Sequence, residues 1–150
     1  MIRLATVADT HAFGRRLAAT LRAGDLIVLG GPLGAGKTTL VQGIGAGLQV
    51  SGRIASPTFV IARVHPGPVP LVHVDAYRLA TFAEVDDLDL DVSADEAVTV
   101  VEWGEGKAEQ LADSYLTIVL DRRSDTEQRT ATLVAHGGDW AARIAALDPT

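Results

Sequence analysis

The chain has 150 residues, with 19 acidic and 13 basic side chains, a net charge of −6 and no cysteine. Disulfide scaffolds and thiolate–zinc sites are thereby excluded. Only two of the basic residues, Lys37 and Lys107, are lysines, so no strongly basic face supports independent binding to RNA or DNA.

Hydrophobic residues make up 47% and charged residues 21%, an ordinary balance for a soluble globular protein. The length leads us to expect one domain with a core of its own. No signal-peptide pattern and no apolar run of transmembrane length is present, so a cytoplasmic setting is expected.

Residues 2–6 read as a first strand. Asp9 and Thr10 are helix-capping types, and Phe13, Leu17 and Leu21 then recur every four residues, an amphipathic helix closed by Gly24. On this pattern alone, Thr10 caps the helix.

The apolar run 26–29 is a buried strand. It leads into Gly31-Pro32-Leu33-Gly34-Ala35-Gly36-Lys37-Thr38, which reads G-x-x-x-x-G-K-T. This pattern wraps phosphates onto a helix N-terminus, and so needs a strand before it and a helix after it. Its glycines let the main chain approach an anion and turn N–H groups inward. Lys37 is placed to reach the outer phosphates, and the Thr38 hydroxyl to ligate magnesium. Binding of a nucleoside triphosphate is the expected function, with a Gly-rich structural turn as the alternative. In the helix that follows, Leu40, Ile44 and Leu48 share one face. Gly43, Gly45 and Gly47 each lower helix propensity by about 1 kcal/mol relative to alanine. We read them as allowing close packing on the sheet.

Pro57 holds Ser56 extended. Thr58 then has two readings, a sensor of the terminal phosphate or its ion and an ordinary strand-entry turn. Residues 59–65 and 71–75 read as strands joined antiparallel through Pro66-Gly67-Pro68, so the sheet is expected to be mixed. His73 and Asp75 are two apart and share a strand face. Polar groups at a strand end suggest a site in an open α/β sheet, and Asp75 is the better candidate to orient or deprotonate a water. A buried His–Asp hydrogen bond is the alternative.

Residues 84–96 carry seven acidic side chains and no basic one. They form either a solvated surface or a docking surface for a basic partner. Residues 97–102 are an apolar strand ending in Glu102, the shape of the second magnesium-binding element of phosphate-loop proteins. Trp103 behind it is either core or a cover for the nucleotide. A helix over 105–111, strands over 115–120 and 128–135, and a last amphipathic helix with Trp140, Ile144 and Leu147 complete the chain.

Behind the phosphate loop stand Ser56-Pro57-Thr58-Phe59, then His73-Val74-Asp75-Ala76-Tyr77-Arg78-Leu79, then Glu102-Trp103-Gly104-Glu105. In this order they resemble the bacterial TsaE family, formerly YjeE, the ATPase of tRNA threonylcarbamoyladenosine biosynthesis. The resemblance spans Thr10 to about Arg129. The phosphate loop alone is shared with many families, whereas the other three segments together are far more specific. The resemblance implies an α/β fold, a single P-loop NTPase domain with a mixed, mainly parallel central sheet flanked by helices. It implies ATP and magnesium as ligands, and an ATPase that is weak alone and stimulated by TsaB and TsaD. Those partners modify tRNA, so tRNA would be met through the complex, and no membrane is implied.

Residue by residue, the resemblance implies that Gly34, Ala35, Gly36, Lys37, Thr38 and Thr39 grip the phosphates. Thr10 and Arg129 would contact the nucleotide, and Thr38 and Glu102 would hold magnesium. Asp75 would position the attacking water, Lys37 would hold transition-state charge, and Thr58 would lie in a switch-like segment. One departure is Pro32, where the family usually carries an acidic residue. It is a free position of the loop pattern, so phosphate binding is expected to survive.

Two other classes stay in view. A small-molecule kinase on the same core needs an acceptor pocket and an arginine-bearing lid, for which the chain has little spare length. A GTPase-type switch needs an Asn-Lys-x-Asp motif, and Lys107, flanked by Gly106 and Ala108, does not supply it.

Overall fold

Seven strands and three helices carry the fold in a computed structural model that describes residues 2–32, 35–51, 54, 62–75, 96–102, 113–122 and 128–147. Of Ala62 and Asp75 only the main chain is described. Gly34, Thr58 with its segment 56–59, residues 77–79, the acidic stretch up to Asp95, Trp103 and the helix expected over 105–111 lie outside the described residues.

Strand β1 (Ile2–Leu4) is followed by helix α1 (Val7–Ala18). A capping box opens α1. The Thr6 hydroxyl accepts from the Asp9 N–H at 3.1 Å, and the Asp9 carboxylate accepts from the Thr6 N–H at 3.2 Å. Thr6 is therefore the cap, and the expectation that Thr10 plays this part is corrected. Thr10 lies inside the helix, 2% exposed, with its hydroxyl 3.4 Å from the Thr6 carbonyl. The helix also stops at Ala18, ahead of Gly24. Gly24 instead donates its N–H to the Ala97 carbonyl at 2.9 Å.

The sheet contains β2 (Leu26–Gly30), β3 (Ala62–His65), β4 (Leu71–Asp75), β5 (Val98–Glu102), β6 (Tyr115–Arg122) and β7 (Arg129–His136) beside β1. Its order is β1-β7-β6-β2-β5-β4-β3. The central strands β6, β2, β5 and β4 run parallel, and β3, β7 and β1 add antiparallel edges. The sheet is thus mixed with a parallel centre, as expected. A parallel centre must be covered on both faces. Ile27, Leu29 and Val100 on one face are fully buried, and Val28, Val72, Val74 and Val101 on the other are equally shielded.

Helix α2 (Lys37–Leu48) lies against α1, and both contribute to the core with Phe13, Leu17, Leu40 and Ile44. Side chains at the crossing would hold the two backbones apart. A Cβ at Gly43 would strike the His11 carbonyl, and one at Gly14 would sit 2.5 Å from the Leu40 carbonyl. The glycines of α2 do permit close packing, but the partner expected from sequence is corrected. Gly43 and Gly47 face α1, while Gly45 faces Ile54 and Val50, rather than the sheet.

Helix α3 (Trp140–Leu147) is pinned at the other end of the sheet from the β2–α2 turn. The Arg143 guanidinium stacks 4.2 Å from the Trp140 ring centroid and donates to the Asp25 carboxylate at 2.7 Å, just before β2 begins.

Two outcomes follow from the packing. Gly43→Ala gains about 1 kcal/mol of helix propensity but pushes a methyl group into backbone, where overpacking costs about 1–3 kcal/mol. Because the obstruction is a carbonyl that cannot rotate away, a net loss of about 2 kcal/mol is expected, seen as a lower urea midpoint with an unchanged slope.

His65 is 5% exposed, and among the described residues its Nε2 has no hydrogen-bond partner. Burial first, then the electrostatic influence of the neighbouring His73 and Arg63, lowers its pKa below the ordinary 6.5. The unfolded chain therefore binds this proton at a higher pH than the folded one. Stability should be complete above about pH 6.5 and fall as the pH drops from there toward the lowered value. His65→Leu should flatten that part of a urea-midpoint profile.

Candidate phosphate-binding site

The site begins where β2 ends. Gly30 closes the strand, and after the loop Gly36 serves as N-cap of α2 with φ +101°. That left-handed conformation suits glycine and costs other residues roughly 1–2 kcal/mol. Gly36 has no side chain to cap the helix, and no side-chain capping bond is present. The first turn of any helix carries N–H groups without intrahelical partners and the positive end of its dipole. Here that turn is Lys37, Thr38 and Thr39.

The loop is braced from two sides. The Ala35 N–H donates to the Pro32 carbonyl at 3.1 Å, and the Ala35 carbonyl accepts from Arg129 Nε at 3.0 Å. Arg129 opens β7, so this bond ties the loop to a strand 94 residues further along the chain. A Cβ built on Gly36 would lie 3.8 Å from Arg129 Nε and 3.9 Å from Thr10 Cγ2. The fold therefore gathers Thr10, Ala35, Gly36 and Arg129 around one bend. Lys37 is 6% exposed, and its ammonium donates to the Gly31 carbonyl at 2.6 Å and the Pro32 carbonyl at 3.0 Å. Pro32 thus contributes to the loop through its carbonyl, whatever its side chain.

Glu102 arrives from the neighbouring strand. In register it stands beside Leu29 of β2 and Asp75 of β4, so the carboxyl ends of three parallel strands align at the loop. Ligands bind at such strand ends in open α/β sheets. Glu102 is 4% exposed, and its Oε2 is hydrogen-bonded to Nε2 of His73, which is fully buried. The alternative reading of this strand end was a hydrogen bond from His73 to Asp75. The partner of its bonding nitrogen is instead Glu102 on the next strand, because the β4–β5 register sets His73 opposite Val100, two residues before Glu102 and on its face. Main-chain proximity joins Asp75 to this group.

The donor set fits the ligands expected from the loop pattern. An N-cap without a side chain, a buried lysine and first-turn amides suit phosphate oxygens. A threonine hydroxyl and a carboxylate are hard oxygen donors of the kind magnesium takes, with phosphates and waters completing the shell. Among the described residues no group of three or more His, Cys, Asp or Glu side chains is gathered for a metal. Among them, too, no helix is long and apolar enough to cross a membrane.

Sequence reasoning missed three elements of the site: the carbonyls that hold Lys37, the Arg129–Ala35 bond and the His73–Glu102 pair. The last two join residues far apart in the chain, whose adjacency arises only after folding. The Thr6 cap did have a local signal, in Thr6 and Asp9 spaced as a capping box.

Known proteins resemble this chain over most of its length. The family model described as "Threonylcarbamoyl adenosine biosynthesis protein TsaE" matches residues 4–131. The "tRNA threonylcarbamoyladenosine biosynthesis protein TsaE" of Streptomyces coelicolor is 59% identical over 136 residues, spanning 85% of this chain and 91% of that one. Its namesake in Mycobacterium tuberculosis H37Rv is 50% identical over 139 residues, spanning 86% and 83%. The crystal structure of Bacillus subtilis YdiB aligns with a TM-score of 0.78 at 31% identity, covering 97% of this chain and 91% of that one. The fold is that of the P-loop NTPases, and the chain belongs to the TsaE family.

Proposed function

We propose that this protein binds ATP with magnesium and hydrolyses it, as the ATPase subunit of the machinery that makes N6-threonylcarbamoyladenosine in tRNA. The names of its relatives place those proteins in that biosynthesis. The observation that carries the ATP reading is the N-terminus of α2. It is capped by a left-handed glycine, ringed by Thr10, Lys37 and Arg129, and set beside the buried Glu102 at the end of β5.

In this reading the loop residues 34–39 grip the phosphates, and Lys37 holds charge that develops on the terminal group. Thr38 and Glu102 would hold magnesium, which when bound neutralises phosphate charge. Asp75 positions the attacking water. Thr10 and Arg129 border the nucleotide. The protein acts as one domain in the cytoplasm, where tRNA is modified. Turnover is slow alone and rises with the TsaB–TsaD pair, which the protein supports without touching a membrane, and tRNA is met only through that complex.

Lys37→Ala removes a charge-assisted phosphate contact of about 3 kcal/mol, so ATP affinity measured by calorimetry should fall about 100-fold. Unchanged affinity would contradict the role of Lys37. Glu102→Ala should lower magnesium-dependent hydrolysis about 10–100-fold while leaving nucleotide affinity without the ion nearly intact. Hydrolysis at the original rate would remove Glu102 from the ion site. An ATPase assay with and without TsaB–TsaD tests the cellular role. Phosphate transfer to a metabolite, with no stimulation by that pair, would favour a small-molecule kinase instead.

A further inference from the structure

We propose that His73 is the positioning residue of the divalent-ion site, acting through Glu102. Its Nε2–H, donated to Glu102 Oε2, fixes the carboxylate and leaves Oε1 as the oxygen turned to the ion or its water. The inference rests on the assignment of Glu102 to that ion.

Three observations carry it. First, both partners are withdrawn from water, His73 completely and Glu102 to 4% exposure. A buried carboxylate needs a donor, and His73 Nε2 supplies one. Second, among the described residues Nδ1 of His73 has no hydrogen-bond partner. A neutral imidazole carries one N–H. Placing it on Nδ1 would bury an unpaired donor and set two acceptors face to face at Glu102. Placing it on Nε2 avoids both costs, so the geometry selects the Nε2–H tautomer. Third, the pair is built on paired main chain, with His73 in register with Val100 at the middle of the parallel strands β4 and β5. Glutamate has three rotatable side-chain torsions, and an ion that bound it unrestrained would have to arrest them. A hydrogen bond from a neighbouring strand arrests them beforehand, which is how outer partners of ligating carboxylates raise ion affinity.

The test uses manganese(II) as the probe ion, titrated by electron paramagnetic resonance into the protein saturated with a non-hydrolysable ATP analogue. His73→Leu should weaken manganese binding about 10–100-fold, while affinity for the analogue in EDTA stays within about twofold, as expected for a residue that acts on the ion alone. His73→Gln, which keeps an N–H donor at similar reach, should restore most of the loss. In a Glu102→Ala background, His73→Leu should add nothing, because its effect passes through that carboxylate. Manganese affinity unchanged by His73→Leu, or lowered equally in both backgrounds, would overturn the proposal. A parent protein that binds the analogue but no manganese would instead remove Glu102 from the ion site, and the inference with it. Should the leucine variant fail to fold, ¹⁵N-histidine spectra of the unsubstituted protein decide the matter. The Nε2–H tautomer, with a resonance that moves when magnesium joins the bound analogue, supports the proposal. An Nδ1–H tautomer, or a resonance indifferent to magnesium, overturns it.

Discussion

A single backbone conformation sets the character of this molecule. Gly36 enters α2 in the left-handed region and brings no side chain with which to close the helix. Most helices begin with a serine, threonine or aspartate whose oxygen satisfies one of the leading amides. The contrast lies within the chain itself. Helix α1 opens on the reciprocal Thr6–Asp9 box, with donors and acceptors matched inside the protein. Helix α2 opens on a glycine with no side-chain capping bond, the setting in which a helix N-terminus takes an anion.

The rest of the fold holds that opening in place. Strand β2 runs up the centre of the sheet with parallel neighbours on both sides, so the loop after it is fixed by register on two edges. Arg129 reaches from β7 to the Ala35 carbonyl, and α1 packs against α2 closely enough to bring Thr10 beside Gly36. The close approach of the helices depends on glycines at the crossing. The same small residues that weaken α2 as an isolated helix let it dock where the loop requires. At the far end of β2, the Arg143–Asp25 ion pair and the Trp140 stack anchor α3 away from this opening.

Much of this was legible in the amino-acid order, for a physical reason. The phosphate loop is a local motif whose backbone demands are written as glycines at set intervals. The buried strands are short apolar runs, and the helices carry four-residue periodicity. What was not legible depends on distance along the chain. The start of α1 was placed late because Asp9 and Thr10 are capping types in isolation, and only the pairing of Asp9 back to Thr6 decides between candidates. The partner of the α2 glycines was misjudged because small residues announce close approach without saying to what. Spacing offers Asp75 as one possible partner for His73, and the hydrogen bond goes instead to Glu102, 29 residues further along. Register between parallel strands is set by the whole sheet, and no window of sequence contains it.

The most direct measurement is a crystal structure of the protein with a non-hydrolysable ATP analogue and magnesium. The expected result has the outer phosphates on the amides of residues 36–39, with the Lys37 ammonium moved from the Gly31 and Pro32 carbonyls onto phosphate oxygen. An analogue bound away from the first turn of α2, with Lys37 still donating to those two carbonyls, would contradict the assignment of this turn as the phosphate site.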